Sequence, residues 1–273
     1  MNPIEHISNE PLSLLREVFT GRDHELGLLD QMLDESGGSP AFVVGPAGVG
    51  KTTLCRAYEV FQNKKYPGTI FCSASQFASP DALIDYIDYQ RTRISNQQPS
   101  SASDRKRDNR PLLVVDDVDR FSDPEASYLL TLLHSRAPQL VSLCTSRERF
   151  RFLEISEIPS LELRLAPLSQ NEILALLTNQ VELMGGDRTI VGKFLNLLNH
   201  QGLLPEYLTP RVILQLFNSY MKQGDLPRAV AELSARGVNA SNLVILEHEG
   251  RLRALPVFQG SPAEIVAPSK QPL

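Results

Sequence analysis

Gly45, Gly50, Lys51 and Thr52 stand in the spacing G-x-x-x-x-G-K-[ST], within Gly45-Pro46-Ala47-Gly48-Val49-Gly50-Lys51-Thr52-Thr53. The chemistry open to this pattern is the cradling of phosphate. Glycines let consecutive backbone N–H groups turn toward phosphate oxygens with no Cβ in the way, and a helix beginning near Lys51 adds its positive dipole end. Lys51 is suited to reach β- and γ-phosphates as a point charge, and the Thr52 hydroxyl to ligate Mg²⁺. The plain alternative is a glycine-rich strand-to-helix turn with a chance lysine. An apolar run at 41–44 before the motif and an acidic strand after it weigh against that alternative.

The acidic strand is Pro111-Leu112-Leu113-Val114-Val115-Asp116-Asp117. Asp116, at its end, is placed to hold Mg²⁺ through a water, and Asp117 to orient or deprotonate an attacking water. A glutamate is the more usual base there, so an aspartate, one methylene shorter, predicts slow hydrolysis or a switch. Thr145 or Ser146, closing the next apolar run, could hydrogen-bond a γ-phosphate or the attacking water. Arg147 and Arg149 offer positive charge for a transition state, in cis or across a subunit boundary, and Arg211 could reach back to the γ-phosphate from a helix start. Each has a plainer reading: a carboxylate capping a turn for Asp116, a polar strand-to-helix turn for Thr145 and Ser146, solvated arginines for the rest.

Bringing these segments together demands a particular frame. Apolar runs at 41–44, 69–72, 111–117, 140–144 and 161–165 alternate with helical patterns at 26–32, 51–61, 79–87 and 122–133. That rhythm predicts a parallel sheet wound on both faces, with ligands at the carboxyl ends of its strands. Gly45, Asp116 and Thr145 all fall at such ends. Beyond Pro167 the pattern turns helical, with a capping box at Ser169 to Glu172, helices near 190–198 and after Thr209-Pro210-Arg211, and a short one at 226–235. Runs at 243–246 and 252–257 flank Glu249-Gly250 like a small hairpin, and residues from Gly260 read as a frayed tail. The stretch 91–110, rich in charge, Ser, Gln and Asn, reads as a solvated loop, or alternatively as a basic arm for nucleic acid or a partner.

The composition is that of an ordinary globular protein: 273 residues, 42% hydrophobic, 22% charged, net charge −5. Nothing global in it points to nucleic acid. Cys55, Cys72 and Cys144 form no C-x-x-C pair and read as buried, reduced, small apolar residues. The N-terminus lacks a basic segment followed by an apolar one, and no run approaches the ~18 apolar residues of a membrane span. A cytoplasmic location without membrane contact is expected, or a nuclear one if DNA is the partner.

Together these segments resemble the AAA+ and STAND branches of P-loop NTPases over roughly residues 19–220. Phe19-Thr20-Gly21-Arg22-Asp23-His24-Glu25-Leu26 is similar to the entry segment of both, which implies that Gly21 and Arg22 border the nucleotide. Residues 45–53 correspond to the Walker A motif and 112–117 to Walker B. Thr145-Ser146-Arg147 resembles the sensor 1 segment, and Leu165-Ala166-Pro167-Leu168-Ser169 the entry to a helical lid. The lid's usual Gly-x-Pro appears as Gly202-Leu203-Leu204-Pro205, one residue longer, with Pro205 the implied adenine contact. Paired aspartates and Thr-Ser-Arg lean toward STAND proteins, whereas Thr209-Pro210-Arg211 resembles the sensor 2 arginine of AAA+ proteins that act on DNA.

The resemblance implies an α/β fold: a parallel-sheet P-loop NTPase core of αβα type at 19–166, after an N-terminal segment at 1–18. A smaller helical lid at 167–236 follows, then a winged-helix-like hairpin and tail at 237–273. ATP or ADP with Mg²⁺ is the implied cofactor, bound by Gly21, Arg22, residues 45–53, Thr145, Pro205 and Arg211. Thr52 and Asp116 are the implied metal ligands, and Lys51, Asp117 and Arg147 the catalytic group. The expected function is a slow ATPase acting as a nucleotide-gated switch, associating with itself or with a partner that carries the sensor or effector. The alternative is an ATPase regulating a DNA transaction. A third reading, a nucleotide-binding scaffold without turnover, would leave hydrolysis unaffected by Asp117→Asn.

Overall fold

Three short apolar runs are buried at every residue and become the centre of one sheet: β1 (Ala41–Val44), β3 (Leu112–Asp116) and β4 (Val141–Ser146). Burial without alternation is what strands covered on both faces require. β2 (Thr69–Ser73), which alternates buried and half-buried residues, and β5 (Leu161–Arg164) complete the sheet, in the order β2-β3-β4-β1-β5 with every pairing parallel. The computed structural model describes residues 21–62, 65–97, 108–147, 161–200, 208–225, 228, 245–248 and 251–254. These fall into two units, one running to Gly45 and resuming over Lys51–Leu165, the other formed by Pro46–Gly50 and the chain from Ala166.

In the first unit, one face of the sheet packs Phe42, Val44, Leu113, Val115 and Cys144 against Leu83 and Ile87 of α3 (Pro80–Gln97) and Leu129 and Leu133 of α4 (Asp123–Ser135). The alternate residues Val43, Val114 and Leu143 are equally buried, so the opposite face is covered too. The register aligns the carboxyl ends: Ser73 stands beside Asp116, and Val44 beside both Ser146 and Arg164. α1 (Asp23–Glu35) and α2 (Lys51–Phe61) are tied together through Asp30, which accepts from the Tyr58 hydroxyl at 2.8 Å and the Lys65 ammonium at 2.6 Å. α4 opens with a reciprocal capping box between Ser122 and Glu125.

One expectation fails here. α3 continues to Gln97, so residues 91–97 are helical where a loop was expected. Low hydrophobicity in that stretch reflects exposure rather than irregular backbone. A side-chain pair at helical spacing supports the helix, Arg91 lying 3.7 Å from Asp88, while the Thr92 hydroxyl folds back on the Asp88 backbone carbonyl at 2.9 Å. At the other end of the same stretch Arg110 donates to Asp108 at 2.7 Å and to the Ala137 carbonyl at 2.9 Å. Residues 98–107 lie outside the described residues.

The second unit holds α5 (Gln170–Leu183), α6 (Thr189–His200) and α7 (Pro210–Gln223). Ser169 and Glu172 form the expected capping box, Gly185 turns left-handed after α5, and Thr209 caps α7 with Pro210 in its first turn. Ile173, Leu177, Phe194, Leu198, Ile213 and Phe217 make the core, Phe194 meeting Phe217 edge-on at 5.0 Å. β6 (Ile245–His248) and β7 (Arg251–Ala254) pair antiparallel, a hairpin whose strands are displaced from the expected runs at 243–246 and 252–257; residues 249–250 lie outside the described residues. The segment 1–18, the tail, and all but Arg228 of the helix expected at 226–235 lie outside the described residues.

Among the described residues no helix is long and apolar enough to cross a membrane. All three cysteines are buried and free, and burial pushes the Cys72 thiol up to about 12. One defect stands out in the sheet: the Ser142 hydroxyl, on a residue 1% exposed in β4, is buried without a hydrogen-bond partner. A buried, unsatisfied hydroxyl carries a desolvation cost of about 1–3 kcal/mol. Ser142→Ala is therefore expected to stabilise the protein by ~1 kcal/mol, read as a raised urea midpoint at unchanged slope. An unchanged or lowered midpoint would show that the hydroxyl is satisfied in solution.

Candidate phosphate-binding site

β1 is followed by a glycine whose amide is already tied across the sheet: the Gly45 N–H donates to the Ser146 carbonyl at 3.2 Å. Its carbonyl accepts from the Lys51 ammonium at 2.8 Å, so the lysine at the start of α2 folds back to the first residue of the loop. Lys51 is 6% exposed, and burial draws its pKa below the ordinary lysine range, opposed by the carboxylates of Asp117, Asp119 and Asp116. A buried cation among carboxylates is poised for an anionic ligand that brings its own charge.

Next to it, the Thr52 hydroxyl lies 3.0 and 2.9 Å from the two Asp116 oxygens. Thr145, fully buried at the end of β4, donates its hydroxyl to Asp116 Oδ1 at 2.5 Å and accepts from the Asp117 N–H at 2.9 Å. Asp117 leaves β3 in the left-handed region, at φ 55 and ψ 49, and leads into a 3-10 turn, Val118–Arg120. Asp119 in that turn accepts from the Arg147 N–H at 3.2 Å, and the Arg147 Nε lies 3.5 Å from its other oxygen. Gly45, Lys51, Thr52, Asp116, Asp117, Thr145 and Arg147 thus converge from α2 and the ends of β1, β3 and β4.

The crown of the loop, Pro46–Gly50, belongs to the second unit. Gly48 and Gly50 have φ of +79 and +105, the left-handed conformations that glycine alone takes without strain. Gly48 also meets a tight approach: its carbonyl accepts from the Arg211 N–H at 3.3 Å, and a Cβ there would lie 3.0 Å from the Arg211 Cβ. Val49 is buried.

Thr53 is exposed on α2. Gly21 turns left-handed at φ +85, and the buried Arg22 pairs with Glu25 one turn further along α1. Pro205 and Arg149 lie outside the described residues. Asp119 went unread in the sequence. Its signal was present in Asp116-Asp117-Val118-Asp119, which carries a third carboxylate just past the strand end.

The described residues contain no group of three or more His, Cys, Asp or Glu able to hold a metal ion. What they offer a divalent cation is the Thr52 hydroxyl touching the Asp116 carboxylate. Two hard oxygen donors fit Mg²⁺, which keeps waters and takes phosphate oxygens for its remaining positions.

Residues 34–152 match the family model described as AAA domain. No curated protein matches the sequence. Solved structures do. A single-residue variant of RuvB from Thermotoga maritima is 14% identical with a TM-score of 0.52, over 83% of this chain and 73% of that one. A chain of the Drosophila ORC bound to DNA is 16% identical with a TM-score of 0.51, over 82% and 69%. C. elegans PCH-2 is 16% identical with a TM-score of 0.45, over 64% of this chain, which spans only about half, 52%, of that one. The first two likenesses establish the fold alone, an α/β core built on a parallel sheet.

Proposed function

We propose that this chain, AAA+ in fold and matching the AAA domain over residues 34–152, binds Mg·ATP, hydrolyses it slowly, and uses the difference between ATP and ADP to control association. The observation that carries the reading is the meeting of Lys51, Thr52 and Asp116 at the base of the glycine loop. A glycine turn, a cation, a hydroxyl and a carboxylate in that order along the chain are the parts needed to hold a metal-chelated triphosphate. Bound Mg²⁺ would neutralise phosphate charge. Lys51 would hold the phosphates, Asp117 would orient the attacking water, and Arg147 would supply positive charge.

In this reading residues 19–166 form the nucleotide-binding core and 167–236 a helical lid, with Arg211 and Pro205 as lid contacts and Gly21 and Arg22 at the entry. The STAND-like version assembles the ATP-bound chain with itself or with a partner carrying the sensor. Thr209-Pro210-Arg211 favours a second version, because it sets an arginine at the capped start of α7. There the ATPase would serve a DNA transaction, as the fold-level likeness to a DNA-bound ORC chain also allows.

Light scattering with ADP and with a slowly hydrolysed ATP analogue plus Mg²⁺, each with and without a short DNA duplex, separates these versions. Assembly with the triphosphate alone supports the switch. Assembly or salt-sensitive binding only with DNA, lost when Arg105, Lys106 and Arg107 are neutralised, supports the second version. A monomer with unchanged mass under every condition would sink association as the output.

A further inference from the structure

The Thr145 hydroxyl has one proton and sits on a side chain with no exposed surface. Its proton goes to Asp116 Oδ1, 2.5 Å away, and its lone pair receives the Asp117 N–H at 2.9 Å. A phosphate or carbonyl oxygen approaching Thr145 would find no donor free of Asp116. Asp117, in turn, is the one non-glycine among the described residues with positive φ. Its left-handed backbone is disfavoured for residues with a Cβ, for aspartate less than for most, and such a conformation persists when its surroundings fix it. Two hydrogen bonds do so here: the Asp117 N–H is held by Thr145 from β4, and the Asp117 carbonyl accepts from the Arg120 N–H at 3.0 Å.

We propose that Thr145 is a positioning residue that makes no contact with nucleotide: through the Asp117 N–H it fixes the left-handed turn that aims the Asp117 carboxylate. A strand continued past Asp116 would send the next side chain to the opposite face of the sheet. The left-handed turn breaks that alternation at Asp117, the carboxylate whose field on the Lys51 ammonium is the largest. One hydroxyl thereby couples the two acidic residues, accepting from the backbone of one and donating to the side chain of the other. The inference rests on the ATPase reading for its consequence in turnover, and on geometry alone for its consequence in the backbone.

The test pairs Thr145→Val, which removes the hydroxyl at nearly constant volume, with Thr145→Ser, which keeps it. Thr145→Val is expected to lower kcat at least 20-fold while KM and the affinity for a fluorescent ATP analogue stay within threefold of native; Thr145→Ser is expected to retain at least a third of native turnover. In the Asp117→Asn background Thr145→Val should lower kcat less than threefold further, because both changes act on one carboxylate. Amide hydrogen exchange gives a readout without nucleotide: the Asp117 N–H should be protected in the native chain and in Thr145→Ser, and exchange at least tenfold faster in Thr145→Val. Loss of nucleotide affinity in step with kcat would overturn the proposal in favour of direct contact. An Asp117 amide that exchanges freely in the native chain would overturn it even if Thr145→Val fails to fold. A native chain that hydrolyses no ATP but shows the expected exchange pattern would defeat the ATPase reading and leave the backbone role standing.

Discussion

Lys51→Ala is expected to weaken Mg·ATP binding by about 100-fold, ~3 kcal/mol, the size of a lost hydrogen bond to a charged partner in a buried site. Two effects oppose each other. In the free protein the ammonium is buried and its pKa is depressed, so removing it relieves a desolvation cost. In the complex its removal leaves phosphates facing Asp116, Asp117 and Asp119 with their nearest buried cation gone, and this second effect is the larger because like charges in a low-dielectric site repel strongly. The variant should therefore keep its urea midpoint, or gain slightly, while losing affinity. Isothermal titration with Mg·ATP alongside urea unfolding reads both. A Kd within fivefold of native, or a collapse of the unliganded fold, would show that Lys51 serves the structure and not a ligand. Lys51→Arg is expected to fail as well, since a planar fork cannot reproduce the point contact of the ammonium on the Gly45 carbonyl.

Much of this site was legible because its parts sit where strand alternation stops. The apolar runs ending at Val44, Asp116 and Ser146 need no partner to be recognised as buried strands, and parallel winding then puts their carboxyl ends side by side. Local capping signals were equally direct at Ser122, Ser169 and Thr209, where side-chain and backbone groups a few residues apart satisfy each other. What could not be read depends on distance across the fold. The left-handed turn at Asp117 is held by a hydroxyl from β4; an aspartate tolerates that conformation better than most residues, but the group that holds it comes from a distant strand. The ion pair of Asp119 with Arg147 is of the same kind. The stretch 91–97 misleads for the opposite reason: a solvated helix and a solvated loop share a composition, and only side-chain spacing such as Asp88 to Arg91 tells them apart.

Asp116 is where the fold and the chemistry meet, and its two substitutions should part company. Asp116→Asn keeps an oxygen for the hydroxyls of Thr52 and Thr145, so stability should fall by no more than ~1 kcal/mol, the order of a neutral hydrogen bond replacing a charge-assisted one. Asp116→Ala leaves the fully buried Thr145 hydroxyl with no acceptor at that position, and is expected to cost about 2–3 kcal/mol. Turnover should treat them alike. Both remove the only carboxylate in contact with Thr52 among the described residues, so both are expected to lower Mg²⁺-dependent ATP hydrolysis by at least ~100-fold, within the range attributed to electrostatic stabilisation at a phosphoryl-transfer site. Raising Mg²⁺ should recover part of the loss in Asp116→Asn, since the amide oxygen is a weaker but still hard donor. Phosphate release measured against Mg²⁺ concentration, beside urea midpoints for both variants, checks the whole pattern. If Asp116→Asn hydrolyses ATP at the native rate, Asp116 is a structural acceptor for two hydroxyls and the metal is held without it.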